Sequence, residues 1–185
     1  MSKRTLLYGL AMLLVVTASV SARAEEKEVT VNIFGAGDLK VPAEFKRVEP
    51  KSSIIEHEFQ ASVGEGKEEE TARVTLMAAG GDVNANIQRW KGQFTGGDEK
   101  AQKTEEMKIG NWQVYIVDVS GNYAERMGGG PFAGGRLVNH EDYAMTGAIL
   151  VHPEGRKYFV KMIGPAEVVK ANRKTFVNMI KSIGQ

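Results

Sequence analysis

The sequence predicts an α+β fold in which a mainly antiparallel sheet is covered by a helix on each face, as in an α/β/α sandwich. Segments with strand-like alternation lie on both sides of a central helical segment, and a second helical segment closes the chain. Residues 112–120, the predicted centre of the sheet, are apolar on both faces, which indicates a covering layer above and below that strand. Strands and helices that occur in separate runs are typical of α+β proteins.

The strand predictions rest on apolar side chains that recur at every second residue. Residues 102–108 are polar and predict an edge strand, and residues 64–70 predict a charged hairpin tip. The alternating segments are residues 29–33, 54–61, 72–78, 112–120, 143–151 and 158–163.

Two helices are predicted from side chains that recur at three- and four-residue steps. In the central helix, over residues 80–94, these side chains are Val83, Ile87, Trp90 and Phe94. Asp82 is the expected N-cap, since its carboxylate can accept hydrogen bonds from the free N–H groups of the first turn. The second helix is predicted to start at Pro165 and to end at residue 183, before Gly184. Each helix has one apolar face, so each is expected to lie on the sheet.

Residues 1–24 predict a cleavable secretory signal peptide. Lys3 and Arg4 precede an apolar run over residues 6–20, and Ala22-Arg23-Ala24 matches an A-x-A cleavage site. The run is shorter than the roughly 20 apolar residues that a membrane-spanning helix needs. We therefore expect residues 25–185 to form a single exported domain, periplasmic or secreted, with no stable membrane insertion after cleavage.

The composition of the mature chain excludes several classes of function. Removal of residues 1–24 would leave 161 residues, with 21 basic and 23 acidic side chains and a formal charge of −2. Such a chain has no basic field for nucleic acid. It contains no cysteine, so disulfides, thiolate metal sites and thiol nucleophiles are excluded.

The central segment also carries a family resemblance. Its spacing Gly-Gly-x4-Asn-x2-Arg-Trp-x2-Gln-Phe is formed by Gly80, Gly81, Asn86, Arg89, Trp90, Gln93 and Phe94. This pattern resembles a family of exported bacterial proteins met mostly in planctomycetes. Residues 158–165 and 176–183 resemble the same family and also PsbP-like and Mog1-like domains. The resemblance covers most of the mature chain and implies a PsbP/Mog1-like sandwich, but it brings no established activity and no catalytic residues.

Residues 121–142 are predicted to form a long loop with a glycine-rich centre at residues 128–135. Long connections in compact domains are usually functional or disordered. The loop could close over an anionic or aromatic ligand as a mobile lid does, or it could be flexible without a ligand. Its candidate residues for binding a ligand or partner are Tyr123, Arg126, Phe132, Arg136 and His140.

The weak candidates for catalysis are His57, Asp118 and Tyr123. His57 and Asp118 each fall on a strand face with large apolar residues. A buried carboxylate must find hydrogen-bond donors or take up a proton, so the two would form an acid/base pair if they met. The alternative is that His57 is a core histidine with a hydrogen-bond partner.

Other conspicuous residues have structural interpretations. Trp90, Phe94 and Trp112 are expected in the core. Asn86 is expected to bind backbone and Arg89 to pair with an acid, although both could contact a partner.

A metal site is not predicted. His140 and His152 lie at opposite ends of a predicted strand, roughly 30 Å apart, which is too far for one metal ion.

These observations predict a non-catalytic exported domain of the cell envelope, which binds an envelope protein or a small ligand and has no cofactor. One alternative is an envelope enzyme with an acid/base site under the glycine-rich loop. Another is a structural or assembly component of the envelope, which large exposed apolar patches would favour.

Overall fold

The computed structural model describes residues 27–127 and 136–185, of which 53% are in strands and 22% in helices. The predicted signal peptide and residues 128–135 lie outside the described residues. The helices are α1 (Val83–Lys91) and α2 (Ala166–Lys181), and single 3-10 turns occur at Gly66–Glu68, Glu99–Ala101 and Ser182–Gly184. The strands are β1 (Val29–Ile33), β2 (Gly37–Val41), β3 (Lys46–Val48), β4 (His57–Val63), β5 (Glu70–Ala79), β6 (Phe94–Thr95), β7 (Lys103–Ile109), β8 (Trp112–Met127), β9 (Arg136–Val151) and β10 (Lys157–Pro165).

Eight of the described strands form one sheet in the order β3-β4-β5-β10-β9-β8-β6, and β7 pairs with β8 beside this path. All of their pairings are antiparallel. The middle of the sheet is therefore β10, flanked by β5 and β9, rather than residues 112–120 of β8. Strands β1 and β2 form a separate hairpin.

The predicted α/β/α sandwich with a helix on each face is wrong. The described residues form only two α-helices, and these cover the sheet unequally. Helix α2 and the β1–β2 hairpin cover one face, where Phe176 shares a buried cluster with Leu150 and Val160. Helix α1 reaches the opposite face mainly through Ile87 and Trp90. Its nine residues span only about 13 Å, so most of this face has no helical layer. We call it the open face.

Helix α1 has a local start signal and a local stop. The Asp82 carboxylate accepts a hydrogen bond from the backbone N–H of Ala85 at 2.8 Å, which satisfies a free donor of the first turn. The helix closes at Gly92. Phe94, which the helical spacing assigned to the helix, instead starts β6 and pairs with Tyr123.

Most of the predicted loop over residues 121–142 is also strand. Strand β8 continues to Met127, β9 begins at Arg136, and the two strands remain paired over this extension. The lid interpretation is therefore wrong for residues 121–127 and 136–142, because the two segments pair with each other and so gain hydrogen bonds that local composition does not reveal. The glycine-rich residues 128–135 are outside the described part of the chain.

Candidate functional site

The open face carries a polar cavity of about 220 Å³ at the centre of the sheet. Alternation explains its polarity at β4 and β5, because these two strands place their buried apolar side chains on the α2 face and polar side chains on this face. On β5, for example, Val74 is in the core and Arg73 lines the cavity. The lining comes from five strands and one preceding turn: Lys51, Glu58, Gln60, Thr71, Arg73, Thr75, Tyr123, Glu125, Tyr143, Lys161, Ile163 and Gly164.

A bulge in β9 builds an aromatic wall beside this cavity. Gly121 and Tyr123 are two positions apart in β8, but their partners in β9, Tyr143 and His140, are three positions apart. The extra residue allows His140 and Tyr143 to lie on the same side of the strand, and Asp142 adopts a left-handed φ of 51° there. The His140 and Tyr143 rings stack with centroids 4.5 Å apart, and Tyr123 lies 6.1 Å from each. Tyr123 and Tyr143 thus present adjacent rings to the cavity.

The hydroxyl groups of Tyr123 and Tyr143 are available to a ligand. Burial, followed by the nearby Glu125 carboxylate, raises the pKa of both tyrosines, so their protons are retained at neutral pH. Within residues 27–127 and 136–185, neither hydroxyl has a hydrogen-bond partner. Glu125 itself is held at 2.9 Å by His140.

Lys161 is a half-buried cation at the floor of the cavity. Its Nζ atom lies 5.5 Å from the centroid of the Trp90 ring, a cation–π contact. It forms no ion pair with any described carboxylate. Burial, followed by repulsion from Arg89 and Arg73, lowers the pKa of Lys161 to about 8. An anion in the cavity would relieve this repulsion.

The two carboxylates that line the cavity, Glu58 and Glu125, both have hydrogen-bond partners. Arg73 donates two hydrogen bonds to Glu58, at 2.7 and 2.8 Å, and the backbone N–H of Lys51 donates a third at 3.0 Å. The Glu58 side chain is only 1% exposed, and the hydrogen bonds from Arg73 hold its pKa below the ordinary value. Because Arg73 binds Glu58 and His140 binds Glu125, neither of these described carboxylates pairs with Lys161.

The helix residues singled out by the sequence have backbone and core contacts. Asn86 donates to the carbonyl oxygens of Gly80 and Asp82, at 3.0 and 2.8 Å, and accepts from Arg89 at 2.6 Å. Trp90 packs edge-on against Phe159 with centroids 5.1 Å apart. These contacts fix α1 over one end of the open face.

Phe94 and Trp112 are both buried, on opposite faces of the sheet. Phe94 lies 5.1 Å from the Tyr123 ring and supports the aromatic wall. Trp112 belongs to the cluster under α2 and meets the rings of Phe34 and His152 there.

The structure does not bring His57, Asp118 and Tyr123 together. His57 in β4 and Asp118 in β8 are separated by three strands, a distance of roughly 19 Å across the sheet. His57 Nδ1 accepts a hydrogen bond from Arg47 at 3.0 Å, and burial together with Arg47 lowers the pKa of this histidine. Tyr123 is on the open face, whereas Asp118 binds Arg173 of α2. No acid/base pair results.

A second cavity, of about 610 Å³, lies between α2 and strands β8 and β9. Asp118 accepts hydrogen bonds from Arg173 Nη2 at 2.7 Å and from Thr146 Oγ1 at 2.8 Å. Arg173 also donates to Glu105 at 3.0 Å. Asp118 and Arg173 therefore bind each other across this cavity.

The residues of the predicted loop that were candidates for ligand binding lie in different surroundings. His140 and Tyr123 are in the aromatic wall, whereas Arg136 is exposed at the start of β9. Arg126 lies in β8, and its side chain is not among those described. Phe132 falls outside the described residues.

Sequence reasoning missed Lys161, Tyr143, Arg73, Glu58 and Glu125 as site residues. One available signal was Lys161 itself, a single cation in the apolar strand segment at residues 158–163. A lysine at a position predicted to be buried needs a partner or a polar cavity.

The fold and the cavity together define a mostly antiparallel β protein with one open, polar sheet face. No protein-family model matches the chain, and no curated protein matches it. The resemblance to exported bacterial proteins therefore stays a prediction. In the described part of the chain, no helix is long and apolar enough to cross a membrane, and no three acidic or histidine side chains are placed to hold a metal ion.

Proposed function

We propose that this chain is an exported, non-catalytic binding domain whose open-face cavity holds a small ligand with an anionic group and a planar ring. The observation that carries the proposal is Lys161, a half-buried cation that lines the cavity and forms no ion pair with a carboxylate among the described residues. A charge removed from water without a partner is unfavourable, so binding an anion would be more favourable here than at an exposed lysine. Export rests on the predicted signal peptide.

The aromatic wall favours a planar ring in the ligand. Tyr123 and Tyr143 lie nearly parallel, with 8° between their ring planes, and present π surface and hydroxyl donors to the same space. The cavity volume of about 220 Å³ is below the ~300–1,000 Å³ typical of sites for drug-sized ligands. A one-ring carboxylate or phosphate fits these limits best.

The alternatives have less support. The acid/base enzyme needs its candidate groups within reach of each other in one cleft. Three strands separate His57 from Asp118, and Asp118 and Tyr123 of β8 face opposite sides of the sheet. The assembly component needs a large apolar patch. Among the described residues, large exposed apolar side chains occur at Ile54, Val63 and Leu137, near opposite ends of β4 and at the start of β9.

A thermal-shift titration of residues 25–185 tests the proposal. Phenyl phosphate and benzoate are the probes, and benzyl alcohol is the uncharged control. A ligand at a hundredfold excess over its Kd stabilises the folded state by about 2.7 kcal/mol, which raises the Tm by about 5–10 °C for a chain of this size. The shift should fall with salt, because the contact is ionic.

Two lysine variants give a matched comparison. Lys161→Met keeps an apolar stem of similar length and removes the charge, and it should abolish the shift. Lys157→Met should keep it, since Lys157 is on the same strand but outside the cavity and donates to the carbonyl oxygen of Gly155. An equal shift in both variants, or no shift with either anion in the parent protein, would contradict the proposal.

A further inference from the structure

We infer that Lys161 is also a covalent capture site for small ligands that carry an aldehyde, which it binds as a reversible imine. The inference rests on the proposed function, because the same cavity would orient the anionic group of the ligand. Three features of the structure set this amine apart: it lines a cavity, it has no ion-pair partner within residues 27–127 and 136–185, and the Trp90 ring lies at its side. An amine held in a carboxylate ion pair keeps its proton and does not attack a carbonyl group.

The chemical step is balanced without an oxidant or a reductant. The uncharged Lys161 nitrogen attacks the carbonyl carbon, and the π electrons of the carbonyl move to its oxygen, which takes a proton to give a carbinolamine. In the carbinolamine the nitrogen has given up one of its two protons. The hydroxyl group then takes a proton and leaves as water when the C–O bond breaks, while the nitrogen lone pair forms the C=N bond and the nitrogen releases its last proton. One amine and one aldehyde thus give one imine and one water.

The cavity wall contains groups that can move these protons. Tyr123 and Tyr143 line the cavity with hydroxyl groups that have no partner among the described residues. Behind them, His140 is hydrogen-bonded to Glu125 at 2.9 Å. The phenols can donate to the developing hydroxyl group, and the His140–Glu125 pair lies against both rings.

The electrostatic surroundings favour the uncharged amine. Burial, Arg89 and Arg73 lower the pKa of Lys161 to about 8. At pH 8 roughly half of the amine is uncharged, ~100-fold more than for a lysine at the ordinary value near 10.4. The charged and titratable groups that share its surroundings are Lys51 of the turn before β4, Glu58 of β4, Arg73 of β5, Tyr123 and Glu125 of β8, Tyr143 of β9 and Arg89 of α1.

Trapping with pyridoxal 5′-phosphate, an anionic aromatic aldehyde, tests the inference. The folded protein is mixed with the aldehyde, reduced with sodium borohydride, digested and mapped by mass spectrometry. Lys161 should be labelled ~10-fold or more over Lys157, given the larger fraction of uncharged amine. The initial labelling rate should rise as the pH increases through about 8, and excess phenyl phosphate should protect the site.

Lys161→Arg separates the inference from the proposed function, since arginine keeps the charge but does not form the imine. This variant should still bind phenyl phosphate and lose the label. If phenyl phosphate binds the parent protein and Lys161 is not preferentially labelled, the imine is wrong and the binding function stands. If Lys161 is preferentially labelled but phenyl phosphate neither binds nor protects, the anion site is wrong and the capture site stands. If the variant unfolds, the labelling of Lys161 in the parent protein is the test. Phenyl phosphate should then reduce this labelling, because the anion and the aldehyde are inferred to occupy the same cavity.

Discussion

The indole ring of Trp90 lies directly over the α-carbon of Gly147, so that a β-carbon at residue 147 would be 2.7 Å from Cζ3 of the ring. Gly147 is the β9 partner of Lys161, and Trp90 is also the cation–π partner of that lysine. The absence of one side chain in β9 therefore lets α1 lie close to the sheet at the edge of the candidate site.

Gly147→Ala should destabilise the protein by about 1–3 kcal/mol, because the added methyl group overpacks the contact between α1 and the sheet. Urea unfolding followed by tryptophan fluorescence measures this. Gly80→Ala is the matched control, since a β-carbon at Gly80 meets no atom within 4 Å. Equal unfolding midpoints for the two variants would show that Trp90 moves aside without loss of stability.

Arg173→Met should destabilise the attachment of α2 to β8. The Asp118 side chain is 16% exposed, and without Arg173 its carboxylate keeps only the hydrogen bond from Thr146, a loss of about 1–3 kcal/mol. Lys174→Met, at an exposed position of the same helix, is the control. In a double-mutant cycle, Asp118→Asn should lower the free energy of unfolding less in the Arg173→Met variant than in the parent protein, because the two side chains share one interaction. Additive effects would contradict this.

Glu58→Gln should reduce the loss of stability in acid. The pKa of Glu58 is lowered in the folded state by Arg73, from an ordinary value of 4.5. The stabilisation is therefore complete above pH 4.5 and is lost as the pH falls through the folded-state pKa below that value. Free energies of unfolding of the parent and the variant should differ at pH 7 and converge towards pH 3.

Glu154→Gln is the control for this pH profile. Glu154 pairs with Arg156, but their side chains are 69% and 45% exposed, and such pairs contribute little to stability. The free energy of unfolding of Glu154→Gln should change with pH as that of the parent protein does. If the free energies of unfolding of Glu58→Gln and the parent protein differ by the same amount at all pH values, the lowered pKa of Glu58 does not contribute to the loss of stability in acid.

Asp142→Val should strain the bulge that brings His140 and Tyr143 to one side of β9. A β-branched residue at a φ of 51° loses about 1–3 kcal/mol of stability, and the stack should loosen. Asp142→Gly should be tolerated, since glycine adopts this conformation without strain. The measurements are the Tm and the affinity for phenyl phosphate, and both should fall in the valine variant only. Loss of affinity in the glycine variant as well would implicate the Asp142 carboxylate instead.

Several features could be predicted from the sequence because their causes are local. The Asp82 cap and the spacing of Val83, Ile87 and Trp90 place a helix in the middle of the chain, and the structure has one over Val83–Lys91. Alternation placed strands at residues 29–33 and 72–78, close to β1 and β5. Each of these signals depends on neighbours within a few residues.

Three features depend on contacts between strands rather than on local sequence. They are the long β8–β9 hairpin, the bulge at Asp142 and the distribution of covering layers over the two faces of the sheet. Residues 121–127 have the local composition of a loop, and they are extended because β9 pairs with them. The bulge depends on which residue of β9 opposes Tyr123, a long-range register that alternation alone does not set.

The positions of both helices and of most strands follow from local sequence, since backbone propensity and side-chain periodicity are short-range properties. It also placed Lys161 in an apolar strand, without showing what surrounds it. Only the tertiary structure brought Lys161, Arg73, Tyr123 and Tyr143 to one cavity, because they come from four strands whose order is set by antiparallel pairing across the sheet. The candidate site is thus a product of strand order and register, which arise from contacts between residues far apart in the chain.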